Sequence, residues 1–184
     1  NVVLKNIYMS NARIYGYSEI GCLAGEIDGT NSSIINCYAD SGCLVQSADD
    51  EGDDIGGLVG AVSNLTITSS VTLANIQGGD GCMGAIVGHP YGKITVTDSL
   101  GVTTSRNISW VCDCCSDSLD DASVSSSNGI LYKNSAGQYR MGSNFSNWIY
   151  ISGMKYPLPK GLSWLANGAG GSTSSFLNDW TLVS

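Results

Sequence analysis

The sequence predicts an all-β protein: a β-solenoid of about three to four rungs, followed by a C-terminal β cap and a tail. Three observations carry that expectation. The first is a repeated segment, Gly21-Cys22-Leu23-Ala24-Gly25, Gly56-Gly57-Leu58-Val59-Gly60 and Gly84-Ala85-Ile86-Val87-Gly88, at steps of 35 and 28 residues. The second is a companion segment that opens at Leu4, Ile34, Ile67 and Val96, at steps of 30, 33 and 29 residues. A fixed period of this size means stacked units that bury their apolar sides only against one another. The third is period-two alternation in Leu4/Asn6/Tyr8, Ile34/Asn36/Tyr38, Ile67/Ser69/Val71 and Val96/Asp98/Leu100, which is the strand period.

Residues 1–105 form the repeat region. Stacking places Leu4, Ile34, Ile67 and Val96 in one buried column, with Asn6, Asn36, Ser69 and Asp98 as a polar ladder bonded sideways. Glycines at fixed offsets suit tight bends. Helix loses because the repeats are rich in β-branched residues, Gly, Ser and Thr and lack i, i+3, i+4 apolar spacing. Between Cys43 and Gly56 an acidic insertion loops out. Residues 106–166 break the repeat and supply a loop and the cap. Segments 129–133 and 138–141 flank the turn Asn134-Ser135-Ala136-Gly137 as a hairpin, and Asn147–Ile151 is a further strand. The cap is expected to cover the last rung, whose core and backbone are otherwise open. Residues 167–184 read as a Gly/Ser linker and an apolar C-terminal strand.

Gly56-Gly57-Leu58-Val59-Gly60, with Ile34-Ile35-Asn36-Cys37-Tyr38-Ala39 upstream, resembles the GLUG repeat of bacterial surface adhesins and other large secreted proteins. The resemblance covers about 105 of 184 residues. The second unit fits best, since Cys22 and Ala85 replace the second glycine in the other two. Tyr156-Pro157-Leu158-Pro159 likewise resembles the Y-P-x-L ending of such arrays. The resemblance implies a β-solenoid of a secreted or cell-surface protein and names no ligand.

Eight basic against sixteen acidic residues give a net charge of −8. That argues against nucleic acid, whose phosphates need clustered Lys and Arg, and against an anionic membrane surface. No stretch is long and apolar enough to span a bilayer. The chain starts at Asn1 without a leader-like segment, so processing or excision from a longer chain is expected.

Seven cysteines stand at 22, 37, 43, 82, 112, 114 and 115. Cys37 and Cys43 flank a turn at Asp40-Ser41-Gly42 and are the expected disulfide, with Cys112, Cys114 and Cys115 contributing another. Cys22 and Cys82 fall near equivalent positions two rungs apart, too far to join. The 112–115 cluster has no nearby histidine to complete a zinc set. Asn31, Asn64, Asn107 and Asn144 fit the glycan acceptor pattern. Asp49, Asp50, Glu51, Asp53 and Asp54 could hold calcium, the one cofactor the sequence suggests.

An enzyme reading has little support, and no catalytic residue is assigned. His89, the only histidine, follows Gly88 at an expected turn, and no nucleophile context is present. Asp80, Asp98, Glu26 and Lys93 are the available groups should the solenoid be a polysaccharide-degrading enzyme. A glycan-binding module would use an aromatic platform, with Trp110, Trp148 and Tyr150 as candidates and Tyr15, Tyr17 and Trp164 beside them. The expectation is a non-catalytic adhesin or fibre segment, extracellular or on a cell or virion surface. It would self-associate as its C-terminal strand adds to the open Asn1–Leu4 edge of a neighbour.

Overall fold

A computed structural model describes residues 1–48, 52–79, 81–102, 111–112, 124–127, 131–133, 135, 137–141, 147–166 and 181–182. The chain winds as a parallel β-solenoid. The first turn holds β1 (Val3–Lys5), β2 (Tyr8–Met9), β3 (Arg13–Gly16) and β4 (Ala24–Ile27). The second holds β5 (Ser32–Ile35), β6 (Tyr38–Ala39), β7 (Leu44–Ser47), β8 (Ile55–Gly56) and β9 (Val59–Val62). The third holds β10 (Leu65–Thr68), β11 (Val71–Thr72), β12 (Asn75–Gln77), β13 (Met83–Gly84) and β14 (Val87–Pro90). A further turn begins with β15 (Ile94–Thr97) and β16 (Leu100–Gly101), and β17 (Val124–Ser127) adds a fifth strand to the first sheet. The solenoid therefore runs past the expected boundary at residue 105.

The predicted column is present. Leu4 pairs with Ile34, Ile34 with Ile67 and Ile67 with Val96, all in parallel register. Ile34, Ile67 and Val96 are buried, while Leu4 at the end of the stack is half-buried. The period-two reading joined two strands into one. Asn6, Asn36, Ser69 and Asp98 are corners with φ of 58°, 54°, 49° and 47°. Asn and Asp tolerate this left-handed conformation better than other non-glycine residues, so the strand ends there and the chain turns. The expected ladder is present at its first step, where Asn36 Nδ2 donates to Asn6 Oδ1 at 3.3 Å, and a second, buried ladder lies one residue later. The amide of Cys37 donates to Ser70 Oγ at 3.1 Å, and that of Ser70 to Ser99 Oγ at 3.1 Å. Each serine hydroxyl then donates to a carbonyl two residues back, which satisfies a fully buried polar group.

Among the described residues beyond the repeats, the best-packed segment lies along the flank of the solenoid and not over its last rung. β18 (Leu131–Lys133) and β19 (Tyr139–Met141) form the expected antiparallel hairpin, and β20 (Trp148–Ile149) pairs with β21 (Leu158–Pro159). Residues 148–162 pack sideways on the sheet β16-β11-β6-β2. Tyr38, Val71 and Leu100 point out of that sheet into Trp148, Ile149, Tyr150, Tyr156, Leu158 and Leu162. The 3-10 segment Lys160–Ala166 lies with Gly161 against the Asn6 and Asn36 corners. The C-terminal strand β22 (Thr181–Leu182) pairs with β18 of its own chain. These two residues are not on offer to a neighbour, which corrects the expected strand exchange onto Asn1–Leu4.

Candidate functional site

The site grows from the repeat's glycines. A Cβ on Gly56 would stand 1.8 Å from the carbonyl oxygen of Val59, which forces glycine at the start of the bend. The closing glycine serves a different approach. A Cβ on Gly88 would meet the Asp54 carbonyl carbon and the Ile55 amide at 2.6 Å. Glycine lets β14 run directly over the corner at Asp54, itself held at φ 61°. The next residue, His89, is thereby laid on that corner.

His89 Nδ1 donates to Asp54 Oδ1 at 2.8 Å, with the two side chains 25% and 15% exposed. Cys82 joins them: its sulfur, an Asp54 oxygen and a His89 ring nitrogen all lie within 4.8 Å of one another. Register explains the meeting. Ile20 bridges Ile55 and Ile55 pairs with Met83, so the preceding residues Glu19, Asp54 and Cys82 follow one another up the stack. The Ile55 amide donates to the Cys82 carbonyl at 2.8 Å and locks the two corners together. Tyr91 stands edge-on to the His89 ring at 5.3 Å, and its hydroxyl donates to Glu26. Burial pushes the Asp54 carboxyl up, an effect the neighbouring imidazole partly offsets. Burial and then the Glu26 carboxylate push the Tyr91 phenol up.

The sequence candidates are placed as follows. Asp49, Asp50 and Glu51 lie outside the described residues; Asp53 is exposed, and Asp54 is turned to His89. Cys37 and Cys43 are free and buried, which overturns their expected disulfide. Both thiols point inward: Cys37 toward the Leu4 and Ile35 carbonyls, Cys43 toward the Met9 carbonyl. Cys22 is free too, and burial pushes its thiol up to about 12. Cys82 and Cys112 are each in a disulfide, while Cys114 and Cys115 lie outside the described residues. Trp148, with no exposed surface, and Tyr150 are buried under the flank and cannot form an open platform; Trp110 lies outside the described residues. Tyr15, Tyr17 and Trp164 are exposed.

Asn31 and Asn64 precede β5 and β10 in register with Lys93 and line a polar groove of about 300 Å³. Asn107, Asn144 and Asp80 lie outside the described residues. Asp98 is buried at its corner, Lys93 is in the groove, and Glu26 is engaged by Tyr91, so the proposed enzymatic set is not assembled among the described residues. His89 lies within a strand, not at a turn. Sequence reasoning missed its meeting with Asp54 and Cys82. The available signal was that each stands at a fixed offset from a motif glycine.

Fold and site define a β-solenoid with a polar cluster on its glycine-lined edge. Comparison with protein-family models, curated proteins and solved structures found no match. Among the described residues no helix is long and apolar enough to cross a membrane.

Proposed function

We infer that this protein is a non-catalytic β-solenoid module of an extracellular or virion surface structure, a segment or subunit of an adhesin or fibre that acts in assembly and attachment. The observation that carries the reading is the first turn. β1, β2, β3 and β4 each form the outer edge of their sheets. Leu4, Ile7, Met9 and Ile14 in that turn are only half-buried, whereas Ile34, Cys37, Ala39 and Val45 one rung on are buried. Val3 is 63% exposed on the edge strand. Edge strands template the addition of further strands, and this one lacks the strand-breaking proline that blunts such edges. A further rung set on this edge, from adjoining chain or from a second copy, completes the backbone pairing and buries the row. The disulfides at Cys82 and Cys112 support an oxidising compartment.

Sedimentation velocity across a concentration series tests the assembly reading. Association is expected for the native chain and its loss in a Val2→Lys/Val3→Lys variant, whose side chains are exposed and whose fold should be unchanged. A native chain that stays monomeric at high concentration overturns it. A glycan-binding role is the second reading, favoured by Tyr15 and Tyr17, two exposed aromatic side chains two residues apart. A glycan array on the native chain and a Tyr15→Ala/Tyr17→Ala variant tests it.

A further inference from the structure

The cluster at Asp54, Cys82 and His89 is unexplained by stacking. A solenoid edge needs the glycines, but it needs neither an imidazole nor a sulfur. The three side chains offer one oxygen, one sulfur and one nitrogen, from two corners and the strand β14 that runs over them, and all three are part-exposed. Their donor atoms lie within 4.8 Å of one another, and a tetrahedral zinc ion places such atoms about 3.5 Å apart. The closure required is a side-chain adjustment of the order of an ångström. The backbone beneath is fixed by the Ile55–Cys82 hydrogen bond and by the fit of Gly88 on Asp54. Cys82 is oxidised in this state, so its sulfur offers no thiolate. Cys112 belongs to the same corner: its amide donates to the Val87 carbonyl and lies against Gly84.

We propose that reduction of the Cys82 disulfide converts this corner into a zinc site of Asp54, Cys82 and His89. The corner is then closed covalently in oxidising surroundings and takes a metal in reducing ones. A phosphine reductant carries out the first step with water. The S–S bond breaks, each sulfur gains a proton, and phosphorus takes the oxygen as phosphine oxide. Zinc then displaces the Cys82 thiol proton to buffer and forms the Zn–S bond, while neutral His89 and ionised Asp54 donate lone pairs. The fourth position stays open to water, as in three-ligand zinc sites.

The test uses the full chain, reduced with a phosphine, desalted without oxygen and titrated with Co²⁺ as a spectroscopic probe. One equivalent is expected to bind with a thiolate-to-cobalt charge-transfer band and intense tetrahedral visible bands, and Zn²⁺ should bleach both. The unreduced chain should show neither. His89→Ala and Asp54→Asn, which leave every cysteine in place, should weaken binding at least tenfold, and Cys82→Ser should abolish the band. Far-UV circular dichroism identifies any variant that fails to fold, and the unreduced native chain controls for the fold independently. A reduced native chain with no charge-transfer band overturns the proposal. So does a band that persists undiminished in His89→Ala, which would place the metal on other thiols.

Discussion

Truncating one column at two heights tests both the stack and its open end. Ile67 is fully buried, with Ile34 below and Val96 above it in register. Ile67→Ala removes three carbons from a site with neighbours on both sides, so transfer and cavity losses add to about 3 kcal/mol, within the usual 2–5. Leu4 occupies the same column but has a rung on one side only and is half-buried. Leu4→Ala should cost about 1 kcal/mol, since much of its surface is already in water. For a chain of this size the two variants should lower Tm by roughly 6–12 °C and 2–4 °C. Thermal melts followed by circular dichroism at low protein concentration measure both. Raising the concentration should enlarge the Leu4→Ala deficit if a second copy covers the first turn. Equal costs at low concentration would refute the argument, because they would require Leu4 to be as enclosed as Ile67.

Gly56→Ala should destabilise by more than the about 1–3 kcal/mol of ordinary overpacking, because the added carbon meets main chain and nothing flexible can yield. Gly16→Ala, whose Cβ would meet only the Ile20 side chain at 3.2 Å, should be tolerated, and urea midpoints compare the two. Asp40 gives a pH dependence: burial alone would raise its carboxyl, but hydrogen bonds from Ser10, the Asn11 and Gly42 amides and the Tyr8 hydroxyl hold it below the ordinary value of 3.8. Its folded pKa is therefore lower than its unfolded one. The stabilisation is complete above the unfolded value and is lost as pH falls through the folded one, so Asp40→Asn should flatten native stability measured between about pH 5 and pH 2. Cys22, Cys37 and Cys43 should alkylate only after unfolding, and Cys82 and Cys112 only after reduction, as peptide mass mapping would record.

The repeat was legible because its cause is local and repeated. At Gly21, Gly56 and Gly84 the bend brings the carbonyl oxygen three residues on to 2.6, 1.8 and 1.8 Å from an absent Cβ, so glycines mark each turn at a fixed offset. The Leu4/Ile34/Ile67/Val96 column was legible for the same reason, since equal spacing from those marks is equal height in the stack. Where strands end was less legible: period two cannot separate one strand from two joined by a left-handed corner, and Asn36 or Asp98 fits either. Only the tertiary structure decided the rest. The flank cover depends on which outward side chains, Tyr38, Val71 and Leu100, find apolar partners far along the chain. The thiol pairing depends on side-chain direction: Cys37 and Cys43 are close in sequence, but each points inward to its own carbonyls. The cluster of Asp54, Cys82 and His89 needed the register of adjacent turns, because residues in unlike sequence contexts meet only when winding brings successive turns into contact.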